Sequence, residues 1–176
     1  MTARGRRAID AALAAAWLLL ALLPFALQQP PAGCNTPAHR AFDFWVGEWT
    51  VTNTAGKTAG TSRVERILDG CVVMENWSGV PGPYQGKSFN TYNPVDGTWT
   101  QHWVDTTGAS VVMNGKFEGR NLVYGREFVR RDGKPARARM TFFNLEDGRV
   151  RQFVEQSIDE GRTWTPQIDL TYTRTR

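Results

Sequence analysis

Two histidines and two cysteines are all that this 176-residue chain offers of the residue types that build most metal centres and nucleophile–base pairs. His39 and His102 do not stand at a paired metal-ligand spacing, and there is no Gly-X-Ser-X-Gly elbow and no phosphate-binding glycine loop. No catalytic residue, no metal ligand and no cofactor is assigned, and acid–base work falls to a carboxylate such as Glu75 or Asp105 if there is any. No basic stripe with interleaved aromatics occurs, so no nucleic-acid partner is expected. Beyond the first forty residues, no apolar 3.6-residue period is long enough for a second helix.

The N-terminus is a segment apart. Arg4, Arg6 and Arg7 form a positive head, residues 11–27 are almost wholly apolar, and Gln28-Gln29-Pro30-Pro31 closes the run. Residues 1–28 read as an export signal or a retained N-terminal anchor, residues 29–39 as a linker, and residues 40–176 as one domain, since roughly 140 residues supply one core and not two. The expected location is the periplasm or cell envelope. Without its head the formal charge of +4 falls to about +2, which argues neither for nor against an anionic partner.

In an oxidising compartment the even pair Cys34 and Cys71 suggests a disulfide closing a loop of about 37 residues; the alternative leaves Cys71 as a small buried apolar residue. A disulfide excludes lipidation of Cys34, for which Pro31-Ala32-Gly33-Cys34 matches a bacterial lipoprotein box in its last three positions only. Membrane association is expected only through that lipid or the N-terminal anchor.

Thr36-Pro37 is a candidate helix cap, and residues 38–45 are expected as a short helix whose Ala41, Phe42, Phe44 and Trp45 cover one end of the domain. The remainder is punctuated by nine turn sequences, among them Asp69-Gly70, Val80-Pro81-Gly82-Pro83, Asp132-Gly133 and Asp147-Gly148. Nine breaks at even spacing predict about ten strands, and with no room for crossover helices the economical topology is all-β: an antiparallel up-and-down barrel with a short N-terminal capping helix.

Alternation then groups the side chains. Trp99, Gln101, Trp103 and Asp105 share a face, with His102 opposite; Val73, Glu75 and Trp77 share another, as do Ser88, Asn90 and Tyr92. Large rings with an amide and a carboxylate between them suit a mostly apolar pocket, so Glu75, Trp77, Asn90, Tyr92, Trp99, Gln101, Trp103 and Asp105 are the candidate ligand-binding residues. The Trp pair could instead pack beneath an outer element or a partner. Glu75 is a ligand-orienting group, an internal ion-pair partner or outward-facing; Glu155 raises the same question. Ser157-Ile158-Asp159-Glu160-Gly161-Arg162-Thr163-Trp164 has the spacing of the Asp box of sialidase blades, in which Asp159 would satisfy turn amides and Trp164 would pack on the hairpin. A propeller needs several such repeats and this chain has one.

Phe42 to Trp49 with its Gly47-Glu48-Trp49, Gly70 to Trp77, Ser88 to Tyr92, Trp99 to Asp105 and Ser157 to Trp164 together resemble an uncharacterised family of exported bacterial proteins with a lipocalin-like, calycin-type domain. The resemblance implies that Trp49 packs across the closed end of the barrel beneath Arg174 of the last strand, which would turn Val51, Ile168, Leu170 and Tyr172 inward. It also implies, by fold analogy, binding of a small hydrophobic or aromatic molecule, and the leading expectation is a monomeric binding module rather than an enzyme. An enzyme on the same barrel and an envelope protein with a filled barrel are the competing readings. Nitrobindins, also ten-stranded, hold haem through a His near the last strand; this chain has none after His102.

Overall fold

The structure, a computed structural model, describes residues 33–175. The expected signal or anchor over residues 1–28 and the start of the linker lie outside the described residues. Within them no helix is long and apolar enough to cross a membrane.

Ten antiparallel strands follow one another around a closed barrel, each bonded to its neighbours in sequence, with the last returning to the first. They are β1 (Gly47–Asn53), β2 (Thr58–Ile67), β3 (Val72–Gly79), β4 (Gln85–Asn93), β5 (Thr98–Asp105), β6 (Ser110–Glu118), β7 (Asn121–Val129), β8 (Pro135–Asn144), β9 (Val150–Ser157) and β10 (Thr165–Arg174). Closure leaves no unpaired sheet edge, and the breaks fall where the turn sequences stand. The all-β meander barrel expected from the turns is the architecture found.

The lead-in is two short helical pieces rather than one helix over residues 38–45. Helix α1 (Pro37–Arg40) has Thr36 as its cap, accepting from the His39 amide at 3.4 Å, and a 3-10 turn follows over Asp43–Trp45. Three residues per turn put Phe42 and Trp45 above one another, and both are fully buried. Beneath them Phe142, Trp99, Tyr172 and Trp49 complete an aromatic floor, with ring centroids 4.5–6.3 Å apart in mostly edge-to-face contacts.

The floor is fastened from outside. Cys34 and Cys71 form a disulfide, as the even cysteine pair suggested. Arg66 of β2, half-buried, donates to the carbonyls of Cys34, His39 and Gly70 and to Asp43, so one guanidinium ties the lead-in to the β2–β3 turn. Arg174 lies over the Trp49 ring, 4.5 Å from its centroid, and donates to the Val46 carbonyl at 3.2 Å. Gly47 has φ +148°, and any Cβ there would run into the Arg174 guanidinium, which accounts for a glycine two residues before this Trp.

Candidate functional site

The lower half of the barrel is filled by the aromatic floor and the residues above it; the upper half is hollow. A cavity of about 250 Å³ opens toward the loop end, walled by Trp77, Trp103, Tyr84, Met113, Val154 and Leu170, with Glu75, Gln101, Gln152 and Tyr172 supplying its polar atoms. A hollow of about 450 Å³ on the outer ends of β3, β4 and β5 is larger but open to solvent on one side, and Lys87 and Thr106 on its walls mark it as a surface groove.

Inward parity places the site. On β3, Val73, Glu75 and Trp77 point into the barrel, and on β5 Trp99, Gln101 and Trp103 do so while His102 is exposed, 2.9 Å from the Ser110 hydroxyl. Glu75 is 3 % exposed. Ser62 donates to its Oε1 at 2.9 Å, Ser88 to its Oε2 at 3.3 Å, and the Tyr172 hydroxyl lies 3.2 Å from Oε1 and 3.0 Å from the Gln152 Oε1. With one proton, Tyr172 serves one of these two acceptors at a time. No Lys or Arg pairs with Glu75 among the described residues. Burial pushes its carboxyl up to about 7, against the opposing pull of the Ser62, Tyr172 and Ser88 hydroxyls.

The two indoles are seated by the same device on two strand pairs. Trp77 leans over Gly60 of β2, where an added Cβ would fall 2.7 Å from the ring, and Trp103 leans over Gly86 of β4, where a Cβ would overlap the ring. Two residues beyond each glycine is a serine, Ser62 and Ser88, which bonds Glu75. Gly-X-Ser therefore does two jobs on one inward face: the glycine makes room for an indole from the next strand, and the serine holds the carboxylate between the two rings. In the sequence, Gly60-Thr61-Ser62 and Gly86-Lys87-Ser88 each precede a Trp by seventeen positions. That repeat is the signal by which Ser62 and Ser88 could have been found beforehand.

At the rim, Asp105 accepts from the Trp103 indole at 2.9 Å and from the Tyr84 hydroxyl at 3.0 Å. Hydrogen bonds from Thr107 and then Trp103 hold its carboxyl well below the usual range, so it is ionised throughout the neutral region. Tyr84 is pushed up to about 12 by burial and by Asp105. Asp105 is thus a fixed anion that positions two aromatic side chains, and it does not line the cavity.

The other expected site residues sit deeper. Asn90 is fully buried below the cavity, where it donates to the Val73 carbonyl at 2.9 Å and accepts from Gln101 and from Tyr124, each at 3.0 Å. Gln101 spends its amide N–H on Asn90, and its Oε1 has no hydrogen-bond partner among the described residues. Tyr92 and Trp99 belong to the floor, against His39 and Phe42, and Val51 is packed in the core. Glu155 pairs with Arg139 on the outer face at 2.8 Å. In the β9–β10 loop, Asp159 accepts from the Thr163 hydroxyl at 2.6 Å and its amide at 2.9 Å, and Trp164 donates to the Gly161 carbonyl at 3.1 Å while Arg139 covers its ring.

Sequence expectation did not reach Tyr84, Met113, Met140, Gln152 or Val154. Tyr84 lies in a loop, where alternation carries no information, and the other four are recognisable only once strand order shows which faces converge. No protein-family model and no curated protein matched this chain.

Proposed function

We propose that the protein is an exported, monomeric binding module that takes a small hydrophobic or aromatic molecule into the open half of the barrel. The observation that carries this reading is the half-hollow interior. A floor sealed by packed rings stands under a cavity whose walls are mostly apolar and whose few polar side chains include the buried Glu75. At about 250 Å³ the space lies just under the ~300–1,000 Å³ usual for ligand pockets, so the guest is compact. The disulfide between Cys34 and Cys71 supports an oxidising compartment.

Two of the four methionines of the chain, Met113 and Met140, line the cavity, whereas Met74 does not. With methyl-labelled methionine, indole added as a probe is expected to shift the resonances of Met113 and Met140 and leave Met74 in place. Val154→Trp, which fills the cavity, should abolish the shifts. Met113 and Met140 left unmoved by indole and by compact aliphatic guests alike would overturn the reading.

One observation favours a second reading, an enzyme on the same barrel. Glu75 is buried, faces the cavity and titrates near neutrality, which suits a general acid or base. Asp105, held ionised at the rim, does not suit that role. Turnover lost in Glu75→Gln with guest binding retained would mark the enzyme.

A further inference from the structure

We propose that the guest is a small organic cation, an ammonium group on a compact apolar body, seated against Glu75 within the ring of Trp77, Trp103, Tyr84 and Tyr172. This rests on the reading of the cavity as a ligand site.

Among the described residues, Glu75 is the only ionisable group of the cavity wall apart from the phenols of Tyr84 and Tyr172, and no basic side chain lines the space. A buried carboxylate is ordinarily matched by a cation or coordinates a metal. Here the protein supplies three hydroxyls and no charge, and no cluster of metal-ligating groups exists among the described residues. The hydroxyls are also unevenly spent: two converge on Oε1, while Oε2 has only the 3.3 Å contact from Ser88. A carboxylate offers about four acceptor sites, and those left over belong to the oxygen with the weaker partner.

The walls complete the argument. Aromatic rings around a desolvated site attract cations through their π faces, and quaternary ammonium groups are the ligands that such cages recognise best. The indoles stay in the wall because Gly60 and Gly86 leave room for them. At the entrance Asp105 adds a permanent negative charge, anchored to the very Trp103 and Tyr84 that frame the opening, and a charge of that sign draws cations toward the mouth. An anionic guest would meet Asp105 at the rim and Glu75 within, with no basic group to receive it.

Choline and its uncharged carbon isostere, 3,3-dimethylbutan-1-ol, test the inference, because they differ in charge at nearly constant shape and both are small enough for the cavity. Binding is followed on the Met113 and Met140 methyl groups. At about pH 8.5 choline is expected to bind at least about tenfold tighter than the alcohol, the scale of a desolvated cation–π contact with a counter-ion. In Glu75→Gln the advantage should shrink several-fold or vanish, and the unperturbed Met74 methyl and overall spectrum verify that this variant is folded.

A second arm needs no variant. Choline does not titrate, so its affinity should fall as Glu75 is protonated toward about pH 6, while that of the alcohol stays level. Ser62 of β2 and Ser88 of β4 bond Glu75, and Gln101 of β5 and Gln152 of β9 share the cavity wall with it, and none of these titrates there. Tyr172 of β10 is raised far above its ordinary range by burial and by Glu75, Tyr84 is raised to about 12, and Asp105 at the rim is held well below the neutral region.

Equal or tighter binding of the alcohol would overturn the cation and leave the binding module standing, with the Glu75 carboxylate accepting a hydrogen bond from a neutral guest. Binding of indole with neither choline nor the alcohol would do the same. Failure of all three probes would remove the binding module itself.

Discussion

The guanidinium of Arg174 lies 4.5 Å from the centroid of the Trp49 ring, joining the last strand to the first at the sealed end of the barrel. The two residues are direct partners in the β1–β10 register. Trp49 is 1 % exposed, and its indole N–H donates to the Trp45 carbonyl at 2.9 Å. The Arg thus covers a ring whose polar handle is already satisfied. Arg174→Ala removes the cation–π contact and the bond to the Val46 carbonyl, and is expected to cost about 1 kcal/mol in urea unfolding. Arg174→Lys should recover only part of that, because an ammonium does not lie flat on an indole.

Trp45 and Trp49 are both fully packed, yet they differ in one atom. The Trp45 indole nitrogen has no hydrogen-bond partner, whereas that of Trp49 has one. An unmet buried donor costs about 1–3 kcal/mol, so replacing it with carbon recovers some of what the lost ring volume costs. Trp45→Phe is expected to be less destabilising than Trp49→Phe by about 1 kcal/mol or more. Equal losses in thermal unfolding would show that a water or a shifted backbone satisfies Trp45.

Barrel closure was legible because it follows from turn chemistry. Asp69-Gly70, Asp132-Gly133 and Asp147-Gly148 force tight reversals, and reversals this close together leave only neighbouring strands to pair. The face groupings on β3 and β5 were legible from alternation, since period two sets Glu75 with Trp77 and Gln101 with Trp103 whatever the partners, but which face turns inward was left open. Depth along the barrel axis was not. Trp99 and Trp103 share a face, but four residues of strand carry one to the floor and the other to the mouth, and no local pattern says where the plug ends. The plug comes from Phe42 and Trp45, whose depth depends on the break at Ala41 and the 3-10 turn after it. Glu75 could not be assigned for a similar reason: its three hydroxyls come from β2, β4 and β10, and the third is 97 residues away in sequence.

Removing the Cys34–Cys71 disulfide by replacing both cysteines with serine should lower stability by roughly 2–5 kcal/mol, the range for a native bridge closing a loop of this size. Arg66 still holds the Cys34 and His39 carbonyls without the bridge, so the lead-in should stay docked under native conditions. Hydrogen exchange at Ala41 and Trp45 will tell: wild-type-like protection at low denaturant, with an earlier midpoint, is the expected pattern.

Gly86→Ala tests the seat of Trp103. The new methyl would overlap the indole, which must swing away from the wall into the cavity or out toward the rim. Either movement breaks the 2.9 Å bond to Asp105, so this small substitution is expected to weaken indole binding several-fold. Thr61→Ala, on the outward face beside Gly60, should leave binding unchanged. Titration of both variants by the methionine methyl shifts separates a loss of seat from a general loss of stability.

The pH dependence of stability should show Glu75 directly. Its carboxyl titrates near 4.5 in the unfolded chain and at about 7 when folded, because burial disfavours the charged form. Between these values the folded protein holds a proton that the unfolded chain has released, so the unfolding free energy falls as pH rises. The stabilisation is complete below about pH 4.5, declines across the interval and is gone above about pH 7. The shift corresponds to on the order of 3 kcal/mol. Glu75→Gln, which stays neutral and keeps an acceptor for Ser62, should remove that slope, becoming more stable than wild type at about pH 8.5 while matching it near pH 4. The measurement is the urea midpoint of both proteins across that range. A wild-type slope that persists in the Gln variant would assign the titration to another group.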